Sequence, residues 1–314
     1  LSSSSAASDV YKRQGYLVIK GELTLGQLVA AELVVTVILS GFAKSGKYLI
    51  SFYDLYAAVD KISTFYDIEL EKNKSKLLLT HRDLENFDLN LQSVEIMANR
   101  YGYDFCFNYN FLSGKTYFIH TQFYSSKLIL IELLQKLTLP DRGVTTIGEF
   151  KFVEISASNL RDFIYVIDQP IVVEGTIEEN LTVGNQNITT SDINNALEVV
   201  ELSHLNTTFE DGLLTNMISS GYPLWSSQII RLEIARVILL KPKIVVLTES
   251  FDQIEKLRRK KIIEYFKSQK VTVLIFSNRD EDYFKVDKYI SIQKNNLLEF
   301  DNKADFNRTI KNGE

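Results

Sequence analysis

Apolar positions recur along this chain in three rhythms, and each predicts a different element. Gly15 to Glu32 holds a short apolar stretch, a Lys-Gly-Glu turn and a second apolar stretch, and the largely apolar run from Leu28 to Phe42 contains Glu32. That run is shorter than the roughly 20 residues a spanning helix needs, so hydropathy alone leaves a buried soluble helix and a membrane helix both open. Leu49, Phe52, Leu55, Val59, Ile62 and Phe65 follow at spacings of three and four, which predicts a helix with one apolar stripe. From Asp67 to Asp88 Glu, Lys, Asn and Asp surround Leu77-Leu-Leu-Thr80, and the stretch reads as a linker.

Past residue 88 a period of two takes over. Val94–Tyr103 and Phe105–Phe111 alternate as strands, Ser113-Gly114-Lys115-Thr116 predicts a hairpin turn, and Tyr117–His120 predicts the first core strand. A helix is expected over Leu128–Leu137. A polar start and an amphipathic helix occupy Leu224–Leu240, a buried strand runs from Ile244 to a carboxylate at Glu249, and another strand spans Val271–Phe276. Tyr289–Ile292 and Leu297–Phe300, joined at Lys294-Asn-Asn, predict a closing hairpin.

The chain has 314 residues, 45% of them hydrophobic, enough for one α/β domain with a large core plus an extra segment. A net charge of -5 gives no basic face for a phosphate backbone, which argues against DNA or RNA as a partner. Cys106 stands alone, so no internal disulfide can form, and His81, His120 and His204 are too scattered to suggest a metal site. Leu1 to Gln14 resembles a translated adapter end; it is set aside from fold reasoning, with the natural chain expected to begin upstream of Gly15. Asn180-Leu-Thr and Asn206-Thr-Thr have the glycosylation pattern, for which chance is the better account in an Asn- and Thr-rich chain.

The order Leu224-Trp225-Ser226-Ser227-Gln228, amphipathic helix, Lys241-Pro-Lys, then Ile244-Val-Val-Leu-Thr248-Glu249 resembles the nucleotide-binding domain of an ATP-binding cassette (ABC) transporter. Leu224, Gln228, Arg231, Ala235, Arg236 and Glu249 match that family's pattern; Trp225, Ser226, Ser227 and Thr248 depart from it. Val18 to Val29 is similar to the link between the last two membrane helices of a type I exporter. Gly175-Thr-Ile-Glu-Glu-Asn180 resembles the opening of the helical subdomain. The resemblance implies a P-loop, RecA-like α/β domain over residues 89–314, with a helical subdomain around Asp192–Arg236. It also implies the last transmembrane helices over 15–66 and a linker over 67–88, with any membrane-embedded Glu32 facing the bundle interior.

The same resemblance distributes site roles. ATP and Mg2+ are the implied cofactors, with Tyr103 against adenine, Ser125, Ser126, Lys127 and Leu128 at the phosphate loop, and Asp168 and Gln169 at the Mg2+-sensing position. Glu249 falls on the catalytic carboxylate and Asn278 on the switch histidine. Trp225, Ser226, Ser227 and Gln228 form the signature that meets a partner's ATP. Several of these positions carry the wrong chemistry. Thr121, Tyr124 and Ser126 replace glycines that let N–H groups turn towards phosphates, and forcing L-residues into left-handed backbone costs on the order of 1 to 2 kcal/mol each. Leu128 and Thr248 cannot hold Mg2+ as a hydroxyl and an Asp would. Ser113-Gly-Lys-Thr116 imitates the end of a phosphate loop, but Tyr109 sits where its glycine should be and a strand follows. The expectation is a membrane exporter subunit with a degenerate ATP site, a homodimer or, more in keeping with its departures, a heterodimer with a competent cassette. An active ATPase subunit and a soluble interaction module are the alternatives.

Overall fold

Thr24 opens the longest element of the chain. Its hydroxyl accepts from the Gln27 N–H at 3.2 Å while Gln27 Oε1 accepts from the Thr24 N–H at 3.0 Å, a reciprocal cap. The helix it starts, α2 (Leu25–Tyr66), has 42 residues and contains no proline, so it passes unbroken through Lys44-Ser-Gly-Lys47, where the apolar pattern pauses. At 1.5 Å per residue it is about 60 Å long, twice the thickness of a bilayer's hydrocarbon core. α1 (Ser2–Ile19) precedes it and is continuous through Gln14-Gly15. The computed structural model describes residues 2–68, 77–97, 104–277, 285–293 and 296–313. The chain divides into two units, Leu1–Lys72 and Asn73–Glu314. No side chain of α2 is buried, and its residues from Val29 to Phe42 expose apolar groups on every side, the mark of a helix covered by lipid or by other helices.

The second unit begins earlier than the pattern suggests. Leu77 bridges to Ile155, and Leu79, Leu84 and Phe87 are buried, so the stretch expected as linker is from residue 77 onward part of a core. A four-stranded sheet holds β1 (Leu89–Ile96), β2 (Phe105–Phe111), β4 (Arg142–Ile147) and β5 (Phe150–Lys151) in the order β2-β1-β4-β5. β1 bulges between Leu91 and Val94, and Gly143 faces that bulge; a Cβ there would lie 2.2 Å from the Ser93 carbonyl oxygen. The six-stranded sheet contains β3 (Thr116–Thr121), β6 (Ile164–Ile167), β9 (Ile244–Leu247), β10 (Thr272–Phe276), β11 (Lys288–Gln293) and β12 (Asn296–Phe300). Its order is β12-β11-β3-β10-β9-β6, all neighbours parallel except the β11–β12 hairpin. Ser113-Gly114 therefore turns between two sheets, not within a hairpin, because β2 pairs with β1 and β3 with β10 and β11.

Alternation along the parallel strands divides the core into two. Val245, Leu247, Val273 and Ile275 face α8 (Ser226–Leu240) and α9 (Lys256–Ser268), while Ile244, Val246, Leu274 and Phe276 face α3 (Tyr124–Leu134) and the smaller sheet. Around α8 gather α5 (Ile177–Thr182), α6 (Thr190–Val199) and the short α7 (Leu205–Thr208). α4 (Ala157–Phe163) leads into β6, β7 (Gly175–Thr176) pairs with β8 (Asn216–Met217), and α10 (Lys303–Gly313) follows β12. Asn180 is buried, with its Nδ2 donating to Val173 O at 2.8 Å and Thr176 O at 3.0 Å, so that nitrogen holds the start of α5 in place and is closed to a glycan.

Candidate functional site

β3, β9 and β10 are parallel, so their carboxyl ends share one edge of the sheet, the place where open α/β sheets bind ligands. Lys127 follows β3 and Glu249 follows β9, and the fold brings them into contact: Lys127 Nζ donates to Glu249 Oε2 at 2.5 Å. The Lys127 side chain is 2% exposed and that of Glu249 34%. The ammonium also sits 4.4 Å from the centroid of the Tyr124 ring, a cation–π contact no sequence signal marked out.

The backbone before Lys127 explains this inward posture. Gln122 still donates its N–H to Ile292 O at 3.0 Å, one residue past the end of β3, and α3 begins at Tyr124. The helix expected from Leu128 thus starts four residues earlier, since Tyr124-Ser-Ser contains neither glycine nor proline to delay it. Only Phe123 separates the sheet ladder from the first helical turn. Ser125 and Ser126 lie inside that turn: the Ser126 N–H donates to Phe123 O at 3.0 Å, and its hydroxyl is buried with no hydrogen-bond partner among the described residues. Leu128 is half-buried on the same helix.

Beyond β9 the chain binds itself to β6. Thr248 donates its N–H to Ile167 O at 3.1 Å and its hydroxyl to Asp168 O at 3.3 Å, while Gln169 is exposed. Asp252, three residues after Glu249, is a member the sequence reading missed. It accepts from Arg259 Nη1 at 3.0 Å and from Ser277 Oγ at 2.8 Å, tying the loop after β9 to the end of β10. Tyr103 and Asn278 lie outside the described residues.

The four residues at the start of α8 gather separately. Trp225 is 78% exposed and precedes the helix, donating its N–H to Gln228 Oε1 at 2.9 Å; the indole has no acceptor, so this is half of a reciprocal cap. Ser226 is exposed, Ser227 is half-buried, and Gln228 Nε2 lies 3.3 Å from His204 Nε2. No hydrogen bond joins this group to Lys127 or Glu249 among the described residues. The matched arginines serve the frame. Arg231 Nη1 donates to Val200 O and Glu201 O, both at 3.0 Å, and Arg236 Nε to Asn180 O at 2.7 Å. Gly221, at φ +89°, is pressed against α8: a Cβ would meet Ile229 Cδ1 at 2.2 Å.

No protein-family model matches the chain. It is 28% identical over 176 residues to an uncharacterised ABC transporter ATP-binding protein of Bacillus subtilis, covering 56% of this chain and 31% of that protein. It is 25% identical over 275 residues to the lactococcin-A transport/processing ATP-binding protein of Lactococcus lactis, 84% of this chain and 37% of the relative. A putative export ATP-binding/permease protein of Rickettsia typhi is 24% identical over 264 residues, 80% and 44%. The chain thus spans between 31% and 44% of the length of these relatives. A bacterial Atm1-family ABC exporter with ATP bound shares its fold at a TM-score of 0.67 and 14% identity, covering 80% of this chain and 45% of that one. With order of motifs, sequence relatives and fold in agreement, the chain is a homologue of the ABC export proteins, carrying helices of the membrane region followed by the α/β cassette.

Proposed function

We propose that this chain is a membrane exporter subunit whose own nucleotide site acts in architecture or regulation, beside a partner cassette that binds and hydrolyses ATP. The observation that carries this reading is the Lys127–Glu249 ion pair, 2.5 Å long, at the one place where triphosphate would have to lie. In a working site the lysine reaches the β- and γ-phosphates and the carboxylate addresses the attacking water, so the two groups are spaced apart by substrate. Here each neutralises the other. The single residue between sheet and helix supports the same view, because it leaves no glycine loop to wrap around phosphate, and Leu128 and Thr248 offer Mg2+ neither a placed hydroxyl nor a carboxylate. The residues present do not fit Mg-ATP, and no hydrolytic step is assigned to this chain. Trp225, exposed at the α8 start, obstructs the approach of a partner's ATP to that helix end, which favours a partner of different sequence over a second copy. α2, long and apolar enough to cross a membrane, supports a membrane location with the cassette on the cytoplasmic side.

Equilibrium titration of the full chain in lipid nanodiscs with Mg-ATP tests this directly. The expected result is no saturable binding up to millimolar nucleotide. Saturable binding that disappears in Lys127→Ala would overturn the proposal and restore an active cassette.

A further inference from the structure

At the opposite edge of the six-stranded sheet, where β9 and β10 begin, a cavity of about 400 Å³ opens between the ends of α8 and α9 and the stretch before β1. Its size falls in the range of small-molecule sites, about 300 to 1,000 Å³. Phe87, Ile238, Phe266 and Val271 give it a buried apolar wall, with Tyr265 half-buried beside them. Lys241, Lys243 and Lys270 stand around that wall, and no carboxylate pairs with any of their ammonium groups among the described residues. Lys243 Nζ instead lies 5.3 Å from the centroid of the Phe87 ring.

Two of these lysines have an alternative account. Lys241 and Lys270 end α8 and α9, where a cation complements the negative end of a helix. Lys243 caps neither: it stands three residues past α8 at the entry to β9, where its N–H donates to Phe163 O at the end of α4 at 2.9 Å. His81, edge-on to Phe163 at 5.2 Å, senses the sum. It is held below the usual imidazole range by burial first and then by Lys243, with Lys241 adding and Asp162 opposing. Glu85 is the only carboxylate in the lining. Three full positive charges against one carboxylate and the partial charges of three helix ends, those of α4, α8 and α9, leave a positive surplus beside an apolar wall.

We propose that this cavity binds a small organic anion with a flat apolar body, of the aryl phosphate or aryl carboxylate class. The anionic group sits on Lys243 with Lys241 and Lys270 at the rim, and the ring packs on Phe87 and Tyr265. A neutral arene would leave the lysines unused, and a bare inorganic anion would leave the wall wet. Nothing in this depends on whether Lys127 binds nucleotide, so the two proposals stand or fall separately.

The test is ligand-observed fluorine NMR with 4-fluorophenyl phosphate on the full chain in nanodiscs, with empty nanodiscs as the blank. Saturable binding is expected, weakened at least about tenfold by Lys243→Gln, a loss of 1.4 kcal/mol, and restored by Lys243→Arg. Inorganic phosphate should compete only weakly and 4-fluorobenzyl alcohol not at all. Absence of saturation, equal binding of the alcohol, or undiminished binding in a folded Lys243→Gln overturns the proposal. Should that variant fail to fold, lysine methylation of the parent decides: protection of Lys241, Lys243 and Lys270 by the probe supports the site, and unchanged labelling of all three refutes it.

Discussion

Replacing Glu249 by Gln is expected to destabilise the β-rich unit by about 2 to 3 kcal/mol, with Lys127→Met costing about 1 kcal/mol and the double variant returning close to the parent. The asymmetry follows from burial. Lys127 is 2% exposed, so loss of its counter-charge strands an ammonium where water cannot reach it. Glu249, at 34%, can turn to solvent when the lysine goes. A methionine and a glutamine together fill similar volume with no charge to satisfy, which is why removing both members of a buried pair is often neutral. Urea unfolding of the full chain, followed by far-ultraviolet circular dichroism, measures all four corners of the cycle. A coupling energy below about 0.5 kcal/mol would mean that the pair is an incidental contact between two groups kept for other work, as an active site would require. The cycle therefore bears on function as well as stability.

How far the site could be read from sequence turns on one boundary. The resemblance marks both Lys127 and Glu249, but nothing in the residue order shows that they touch, because they are separated by 122 residues and joined only when β10 places β3 beside β9. The start of α3 was misplaced for a related reason. The apolar rhythm that marks a helix begins at Leu128, while Tyr124, Ser125 and Ser126 are polar or amphipathic first-turn residues that carry no periodic signal. Yet those three residues decide whether a cradle exists. The fold itself was more legible: strand–helix alternation and the β11–β12 hairpin follow the pattern of apolar residues closely. Where it was not, composition misled. Residues 77–88 look like a linker because charged and polar residues surround their apolar ones, but Leu79, Leu84 and Phe87 suffice to bury the segment.

The second large effect is expected from an acid that sequence reading passed over. Glu233 lies on the inner face of α8, 3% exposed, and its Oε2 is buried with no hydrogen-bond partner among the described residues. Burial pushes its carboxyl up to about 7, against the weaker pull of Arg236, the Ile171 amide and Tyr165, with Asp168 adding to the rise. The native state therefore holds a proton that the unfolded chain releases near the ordinary glutamate value of 4.5. Stability from this group is complete below pH 4.5, falls as pH climbs towards 7, and is fully lost above it. A displacement of that size corresponds to about 3 kcal/mol. Glu233→Gln keeps the shape and cannot ionise, so the free-energy gap between variant and parent should widen in the variant's favour by about 3 kcal/mol between pH 4.5 and pH 8. Urea unfolding at pH 4.5, 6, 7 and 8 measures that gap. A gap independent of pH would show that Glu233 is charged throughout, with Arg236 close enough in solution to hold it so, and the segment from Asp168 to Val173 would then rest on an ion pair instead of on a buried proton.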